Sequence, residues 1–263
     1  MKPRSRFLND LSSPELESYL KSGGDTALIP AGAVEMHGPH MPIGTDIFIA
    51  RALALLIAEE TDGIVFPDVS YSWAGATDGF AGTVSIPPAM IMDLVTLILV
   101  GARRMGFRRL AVVSIHGTND APMTITVRRV YETHGVAATY LNPFRAAATP
   151  ELEKMFAGDW AAGKEASLTL AALEILGRGD LYTEKEMAYD DPAPPLTVCN
   201  YPFHGAVGFY YQDLRHHCEP NAHTSRERGL RYLREHARIY AEGVRALGDY
   251  IEAAREDKNH GYA

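Results

Sequence analysis

The sequence alternates short apolar runs with longer amphipathic segments. Each apolar run ends in glycine, proline or polar residues, as buried strands do, and each longer segment repeats its apolar residues at helical spacing. Strands that alternate with helices form a mainly parallel sheet covered on both faces, so we predict a three-layer α/β sandwich. The predicted strands are Thr26–Pro30, Gly63–Pro67, Leu110–Ile115 and Val136–Tyr140, and the predicted helices are Pro14–Lys21, Ile47–Glu60, Pro88–Met105, Ala121–Thr133, Glu165–Leu176 and Thr224–Glu256.

A single domain is expected to span residues 1–263, because no repeat, low-complexity stretch or linker divides the chain. A chain of this length can bury a sizeable core. We place that core within about residues 8–245, followed by a polar C-terminal tail, and expect a break in the last helix near Gly243. Residues 189–223 are rich in Pro, Tyr, His and Asp, which predicts long loops.

Charge and cysteine content exclude several classes of partner. The chain has 25 Lys and Arg against 33 Asp and Glu, a net charge of −8, which argues against binding to nucleic acid or to an anionic membrane. Its only cysteines, Cys199 and Cys218, provide no disulfide framework. No segment reaches the roughly 18 uninterrupted apolar residues of a membrane span. We therefore expect a cytoplasmic protein.

Polar side chains follow two of the predicted strands. Glu35, His37, His40 and Asp46 come after strand Thr26–Pro30, and His116, Asn119 and Asp120 come after strand Leu110–Ile115. The carboxyl ends of parallel strands meet at one edge of a sheet, where open α/β sheets bind their ligands. We therefore expect these two groups to face one site.

Four of these residues form a donor set for divalent metal. Glu35 and His37 are two positions apart and can face the same point from an extended loop, while Asp46 lies at a turn into a helix, where a carboxylate can bridge two metals. With His116 they make a mixed oxygen and nitrogen set that suits zinc, manganese or iron. Each residue alone has a plainer interpretation: a loop histidine is usually only hydrogen-bonded, and Asp46 could simply cap the helix.

Other motifs indicate no stronger site. GAVGF at 205–209 lacks the strand and helix of a dinucleotide fingerprint, and no G-x-S-x-G elbow supports a serine hydrolase. Residues 213–223 contain three histidines and Cys218, and we interpret them as a polar loop near the substrate or an oligomer contact, with a soft-metal site as the weaker alternative. The arginines at 103–109 are expected to complement the dipole at a helix C-terminus.

The stretch IPAGAVEMHGPHMPIGTD, residues 29–46, resembles the creatininase-family signature P-x-G-x-x-E-Q-H-G-x-H-L-P-x-x-T-D. FAGTVS at 80–85, VVSIHGTND at 112–120 and KEASLTLAAL at 164–173 are similar to the family's F-P-G-T-x-S, N-G-H-G-G-N and E-T-S segments, in the same order. The resemblance covers about residues 8–245. It implies a creatininase-like α/β fold, often assembled as a hexamer, with two divalent metal ions.

Carried over by position, the resemblance assigns one metal to Glu35, Asp46 and His116 and the other to His37, Asp46 and a further carboxylate. Thr118 stands where creatininase has that carboxylate, so Glu165 is the expected replacement. His40 and Asn119 are expected to support the ligands from outside. The full set of expected metal ligands is Glu35, His37, Asp46, His116 and Glu165.

Departures from the family pattern concern the proton donor and the substrate. The family's H-A-G-x-x-E-T-S segment reads W-A-A-G-K-E-A-S here, and the histidine before F-P-G-T is missing from GATDGF. The candidates for the general acid are His217, His223, His204, Lys164 and a water molecule, while Glu165 is the expected proton acceptor. These losses argue against creatinine as substrate.

The resemblance implies a hydrolase that cleaves a C–N bond, other than a peptide bond, in a small cyclic amide or formamide by means of metal-activated water. Two alternatives stay open: a metal-binding family member without hydrolytic activity, and a peptidase of the mycofactocin type. A homo-oligomer is expected, with support from the aromatic residues Tyr201, Phe203, Phe209, Tyr210 and Tyr211. The same residues could instead line the mouth of the pocket.

Overall fold

The computed structural model describes residues 3–143, 149–195, 208–218 and 220–256. Four strands, β1 to β4, and eight α-helices, α1 to α8, are present in this part of the chain. The strands are Thr26–Pro30, Ile64–Val65, Arg109–Val113 and Thr139–Leu141, and the helices are Ser13–Lys21, Thr45–Thr61, Pro88–Met105, Asp120–His134, Pro150–Met155, Lys164–Ile175, Glu184–Met187 and Arg226–Glu256.

The four strands form one parallel sheet in the order β2-β1-β3-β4. In the central pair, Leu28 is in register with Ala111 and Ile29 with Val112. The chain leaves β1 for β2 on one side and reaches β3 on the other, so the strand order reverses between β1 and β3. The predicted parallel α/β architecture is confirmed, and this reversal is where such sheets leave a crevice for ligands.

Alternate strand residues enter two separate cores. One face of the sheet packs against α2, α6 and α8 through Leu28, Val65, Ala111 and Val113. Ala27, Ile29, Leu110 and Val112 pack with α1, α3 and α4 on the other. All of these side chains are buried, which accounts for the continuous apolar runs in the sequence. Truncating a buried leucine such as Leu28 to alanine typically costs about 2–5 kcal/mol.

Two expectations about helices were wrong. Helix α8 continues through Gly243, because Tyr240, Ala241 and Val244 stay buried against the sheet and hold the helix on both sides of the glycine. Asp46 is not a cap: α2 begins at Thr45 with Gly44 in the N-cap position, which places Asp46 inside the first turn. The short helices α5 and α7 were not predicted, since each spans only one or two turns.

The predicted loop region 189–223 is only partly described. Its described residues contain a short 3₁₀ helix, Leu214–His216. Cys199, Tyr201, Phe203 and His204 lie outside the described residues. Among the residues that are described, no helix has the length and hydropathy needed to cross a membrane.

Candidate metal centre

Five predicted ligands come from four different elements around the crevice between β1 and β3. Glu35 and His37 lie in the loop after β1, Asp46 in the first turn of α2, His116 after β3, and Glu165 in the first turn of α6. Gly32 lets the β1 loop approach α2: a Cβ at this position would lie 2.7 Å from the backbone nitrogen of Ile47. The loop is also held by Thr83 of the FAGTVS segment, whose Oγ1 accepts a hydrogen bond from the Met36 backbone at 2.9 Å.

The ligand atoms of these residues converge. His116 Nδ1 lies 2.9 Å from Asp46 Oδ2 and 3.4 Å from Glu35 Oε1. His37 Nε2 lies 3.5 Å from Asp46 Oδ1 and 3.9 Å from Glu165 Oε1. Two ligand atoms held about 2.1 Å from one ion are at most about 4.2 Å apart, so each of these pairs fits a shared cation. Asp46 presents one oxygen to each histidine, as a bridging carboxylate does.

Two three-residue groups have ligand atoms within 4.8 Å of one another and match the predicted sets: Glu35 with Asp46 and His116, and His37 with Asp46 and Glu165. A third group, Glu35 with His37 and His217, was not foreseen as a ligand set. Four of the members, Glu35, His37, Asp46 and His116, are almost fully buried. A buried group of this kind needs either protons or a cation to balance its carboxylates.

The hydrogen bonds of both histidines suit metal ligation. Nδ1 of His37 lies 3.0 Å from the backbone oxygen of Glu35, and Nε2 of His116 lies 2.9 Å from that of Trp73. An imidazole that donates one N–H to a carbonyl has its lone pair on the other nitrogen. In both rings, that other nitrogen faces the carboxylates. Two imidazole nitrogens therefore face the same group of oxygens, where each can hold a proton or bind a metal ion.

An unpartnered buried oxygen supports the same interpretation. Asp46 Oδ2 is buried and, within the described part of the chain, has no hydrogen-bond partner of suitable geometry despite its closeness to His116 Nδ1. A buried carboxylate oxygen without a partner is costly in an apolar interior. The donor types, their burial and this oxygen all fit a bound divalent cation of the zinc, manganese or iron kind.

Without a cation, the charges within the cluster shift its pKa values strongly. Burial alone lowers the pKa of His37, but the carboxylates of Asp46, Glu165 and Glu35 together raise it to about 10. The pKa of His116 is likewise raised, against its burial, by Asp46 and Glu35. Burial raises the pKa of Glu165, whose side chain nevertheless keeps 29% of its surface accessible. Protons thus occupy the positions that a cation would take.

Residues outside the ligand set hold it in place, and sequence analysis identified only one of them. Thr77 donates a hydrogen bond from Oγ1 to Glu35 Oε2 at 2.9 Å. Asn119, expected as a supporting residue, accepts from the Ser72 hydroxyl and donates to Ser114 Oγ at 3.2 Å. The backbone nitrogen of His116 donates to that same Ser114 oxygen at 3.3 Å. No sequence motif singled out Thr77, which is distant from Glu35 along the chain.

The candidate proton donors differ in position. His217 Nε2 lies 3.9 Å from Glu35 Oε1, and its ring meets that of His37 edge-on at 4.7 Å. His223 is exposed and stacks on Trp160, with ring centroids 5.2 Å apart. Lys164 places Nζ 4.5 Å above the Tyr232 ring, and burial lowers the pKa of Lys164 to about 8. Of these three, only His217 faces the ligand group.

His40, expected as a supporting residue, lies beside the centre rather than on a ligand. Its ring stacks on Tyr189 at 4.9 Å, and its Nε2 lies 3.2 Å from Asn221 Nδ2. Among the described residues it forms neither a hydrogen bond nor an ion pair with the five ligand candidates. Burial lowers the pKa of His40 to about 4, so its ring is neutral at pH 7.

A parallel α/β sandwich with a carboxylate and imidazole group at its strand reversal defines a class of candidate metalloenzymes. Within this class, the family model described as creatininase, creatinine amidohydrolase, matches residues 9–234. The chain therefore belongs to the creatininase family.

Individual relatives agree with this assignment. The chain is 30% identical over 122 residues to creatinine amidohydrolase from Pseudomonas putida, across 44% of this chain and 47% of that protein. It is 39% identical over 109 residues to the mycofactocin precursor peptide peptidase of Mycolicibacterium smegmatis, across 38% of this chain and 42% of that protein. The aligned part thus spans about half the length of the curated relatives it matches.

Solved structures show the fold over a longer span. A mutant creatininase described as Zn-Zn type has a TM-score of 0.68 and 23% identity, covering 92% of this chain and 98% of that chain. At this level of identity the match establishes the fold alone.

Proposed function

We propose that this protein is a metal-dependent amidohydrolase that cleaves the C–N bond of a small cyclic amide or formamide, other than creatinine. One observation carries the proposal: two imidazole nitrogens and three carboxylates converge at the strand reversal of a creatininase-family fold. In both histidines, the nitrogen opposite the one that meets a backbone carbonyl faces these oxygens, which is the arrangement of a metal-ligating imidazole.

Two divalent ions of zinc, manganese or iron are the proposed cofactors. Glu35, Asp46 and His116 would hold one ion, and His37, Asp46 and Glu165 the other, with Asp46 shared between them. Such a pair supplies Lewis acidity, lowering the pKa of a water molecule and polarising the carbonyl of the substrate. Thr77 would orient Glu35, and the Trp73 carbonyl would orient His116, so that the ligands need little rearrangement on binding.

Proton transfer is assigned to Glu165. Its side chain is 29% accessible, so one carboxylate oxygen can hold the ion while the other reaches a water molecule. It can take a proton from the attacking water and return it to the leaving nitrogen. Burial lowers the pKa of His217 to about 4, so at pH 7 this ring is neutral and suited to orienting the substrate through a hydrogen bond.

The remaining proton-donor candidates are less well placed. His223 covers one face of Trp160, and the Arg228 guanidinium lies 3.8 Å from the centroid of the same indole. We assign these residues to packing around the pocket rather than to proton transfer. His204 lies outside the described residues.

The two alternatives make different predictions for the same site. A peptidase of the mycofactocin type draws support from the 39% identical relative of that name. A non-hydrolytic metal protein would use the same ligands without Glu165 as a base. The partial accessibility of the Glu165 side chain favours a working site over a sealed structural one.

The test combines metal analysis with a substrate screen. Protein purified without added metal should contain close to two ions per chain, and Asp46→Ala should lose both, whereas the exposed His134→Ala serves as a control that retains them. A panel of cyclic amides, ureides and formamides should yield hydrolysed product. Glu165→Gln should lower kcat by about 10²–10⁴-fold.

Distinct results would support each alternative. Full metal content without turnover on the whole panel would support the non-hydrolytic protein. Release of a short peptide from a modified precursor would support the peptidase. Wild-type protein that contains no metal, with the same metal content in Asp46→Ala, would contradict the proposed metal centre.

The cytoplasmic location and the homo-oligomer, with a hexamer as the family's common assembly, remain proposals. Two of the aromatic residues cited for self-association lie near the centre: the Tyr211 ring lies 6.0 Å from that of His217, and the ring centroids of Phe209 and Tyr211 are 5.8 Å apart. These two positions favour the alternative that the aromatic residues line the mouth of the site.

A further inference from the structure

Helix α3 exposes an apolar stripe that nothing in the described chain covers. Met90, Leu94, Leu97 and Met105 have 58%, 43%, 67% and 50% of their surfaces exposed. At 3.6 residues per turn, these positions and Gly101 share one face of the helix. The opposite face, with Ile91, Val95 and Leu99, is fully buried in the core. An amphipathic surface helix would instead carry charged residues on its outer face.

We propose that this stripe, the α3 face, binds a second copy of the same chain through an antiparallel contact of the two α3 helices. Around a two-fold axis midway between Leu97 and Ile98, Met90 meets Met105 of the second copy, and Leu94 meets Gly101. Gly101 has no heavy atom within 4 Å of where its Cβ would be, so it leaves a recess for the leucine. The face is therefore complementary to itself, which is the requirement for a two-fold contact.

The charges beside the stripe are complementary in the same arrangement. Asp93 and Arg104 are three helical turns apart and lie on the same flank. In an antiparallel two-fold pair, each flank of the helix meets the same flank of the second copy. Measured along the helix axis, Asp93 of one copy then lies within about 3 Å of Arg104 of the other. Arg104 is exposed and has no ion pair among the described residues, and the Asp93 side chain is 67% exposed while accepting from Arg129 at 2.8 Å.

This contact is independent of the proposed chemistry, because the ligand candidates lie at the carboxyl end of the sheet and none belongs to α3. Sedimentation velocity of the full chain at micromolar concentration measures it. The wild type should sediment as a dimer or larger assembly, and Leu97→Arg should weaken the association at least tenfold. Leu181→Arg, at a 45% exposed leucine outside α3, is the matched control and should leave the assembly intact.

Charge reversal tests the orientation. Asp93→Arg and Arg104→Glu should each weaken the association, and the double variant should recover at least part of it by restoring the opposite charges. Circular dichroism should show that every variant stays folded, since all the altered side chains are exposed. A monomeric wild type, an unaffected Leu97→Arg assembly, or a double variant weaker than both single ones would each overturn the proposal.

Discussion

At the residue scale, each histidine of the centre has two distinct nitrogens. One faces a backbone carbonyl, from Glu35 for His37 and from Trp73 for His116, and the other faces carboxylates. Residue types and spacing in the sequence predicted the second role, because ligand chemistry depends on them. They could not predict the first, because the carbonyl that meets His116 belongs to a loop 43 positions away along the chain.

Metal loading should release protons. With the pKa of His37 raised to about 10 and that of His116 raised above its usual range by carboxylates, both rings hold an extra proton at pH 7 when no ion is bound. A cation takes the nitrogen and displaces that proton. Calorimetry of the chelator-treated protein in buffers of different ionisation enthalpy should detect close to two protons released at pH 7.

Competition between protons and metal ions for the histidine nitrogens sets the direction in which metal affinity changes with pH. Apparent metal affinity should increase as the pH rises from about 7 towards the His37 pKa of about 10, because fewer protons then compete for the ligand nitrogens. An affinity that is flat over this range, or zero proton release, would contradict the protonated cluster.

Thr77 should prove to be a positioning residue for the centre. Its hydroxyl donates to Glu35 Oε2 and is buried with it, so Thr77→Val should leave the carboxylate less well oriented and weaken metal binding by about 10–100-fold. Thr133→Val removes an exposed hydroxyl that donates to the Arg129 carbonyl, far from the ligand set, and it serves as the control. Equal metal affinities for the two variants would assign Thr77 to packing alone.

At the scale of elements, the strands and long helices were predictable because burial imposes a period on the sequence. Strand β1 and helix α3 have the predicted bounds, since their apolar pattern is continuous and both end at proline, glycine or polar residues. Strand β2 is shorter than predicted, with only Ile64 and Val65 paired to β1. Sequence pattern records which residues are buried, whereas strand length depends on which backbone groups find a partner, and this is settled by the sheet as a whole.

Gly243 was expected to break helix α8, and its substitution tests whether the helix needs a glycine there. Gly243 lies inside a continuous helix, a Cβ at this position would have no heavy atom within 4 Å, and the φ angle lies outside the left-handed region. Gly243→Ala should therefore stabilise the protein by about 1 kcal/mol through helix propensity. Urea unfolding should show a higher midpoint with an unchanged slope. A lower midpoint would indicate a bend or contact at Gly243 that needs glycine.

At the scale of the whole molecule, the candidate centre joins four segments, most of them far apart along the chain. Its ligands come from the loop after β1, the first turn of α2, the loop after β3 and the first turn of α6. Parallel sheets of this type leave such a crevice regardless of function, so the fold supplies the place and the side chains supply the chemistry. Bound ions would cross-link these four segments in the folded state.

Removing the ions should therefore lower the stability of the entire chain. A ligand that binds only the folded state adds about 2.7 kcal/mol at a concentration 100-fold above its Kd, and for a chain of this size each kcal/mol shifts Tm by roughly 2–4 °C. Chelator treatment should thus lower Tm by about 5–10 °C per site, and added zinc or manganese should restore it. His116→Ala, which lacks a ligand of the first site, should respond less to both treatments. A wild type whose Tm is changed by neither chelator nor metal would show that protons fill the cluster and that packing alone holds the four segments.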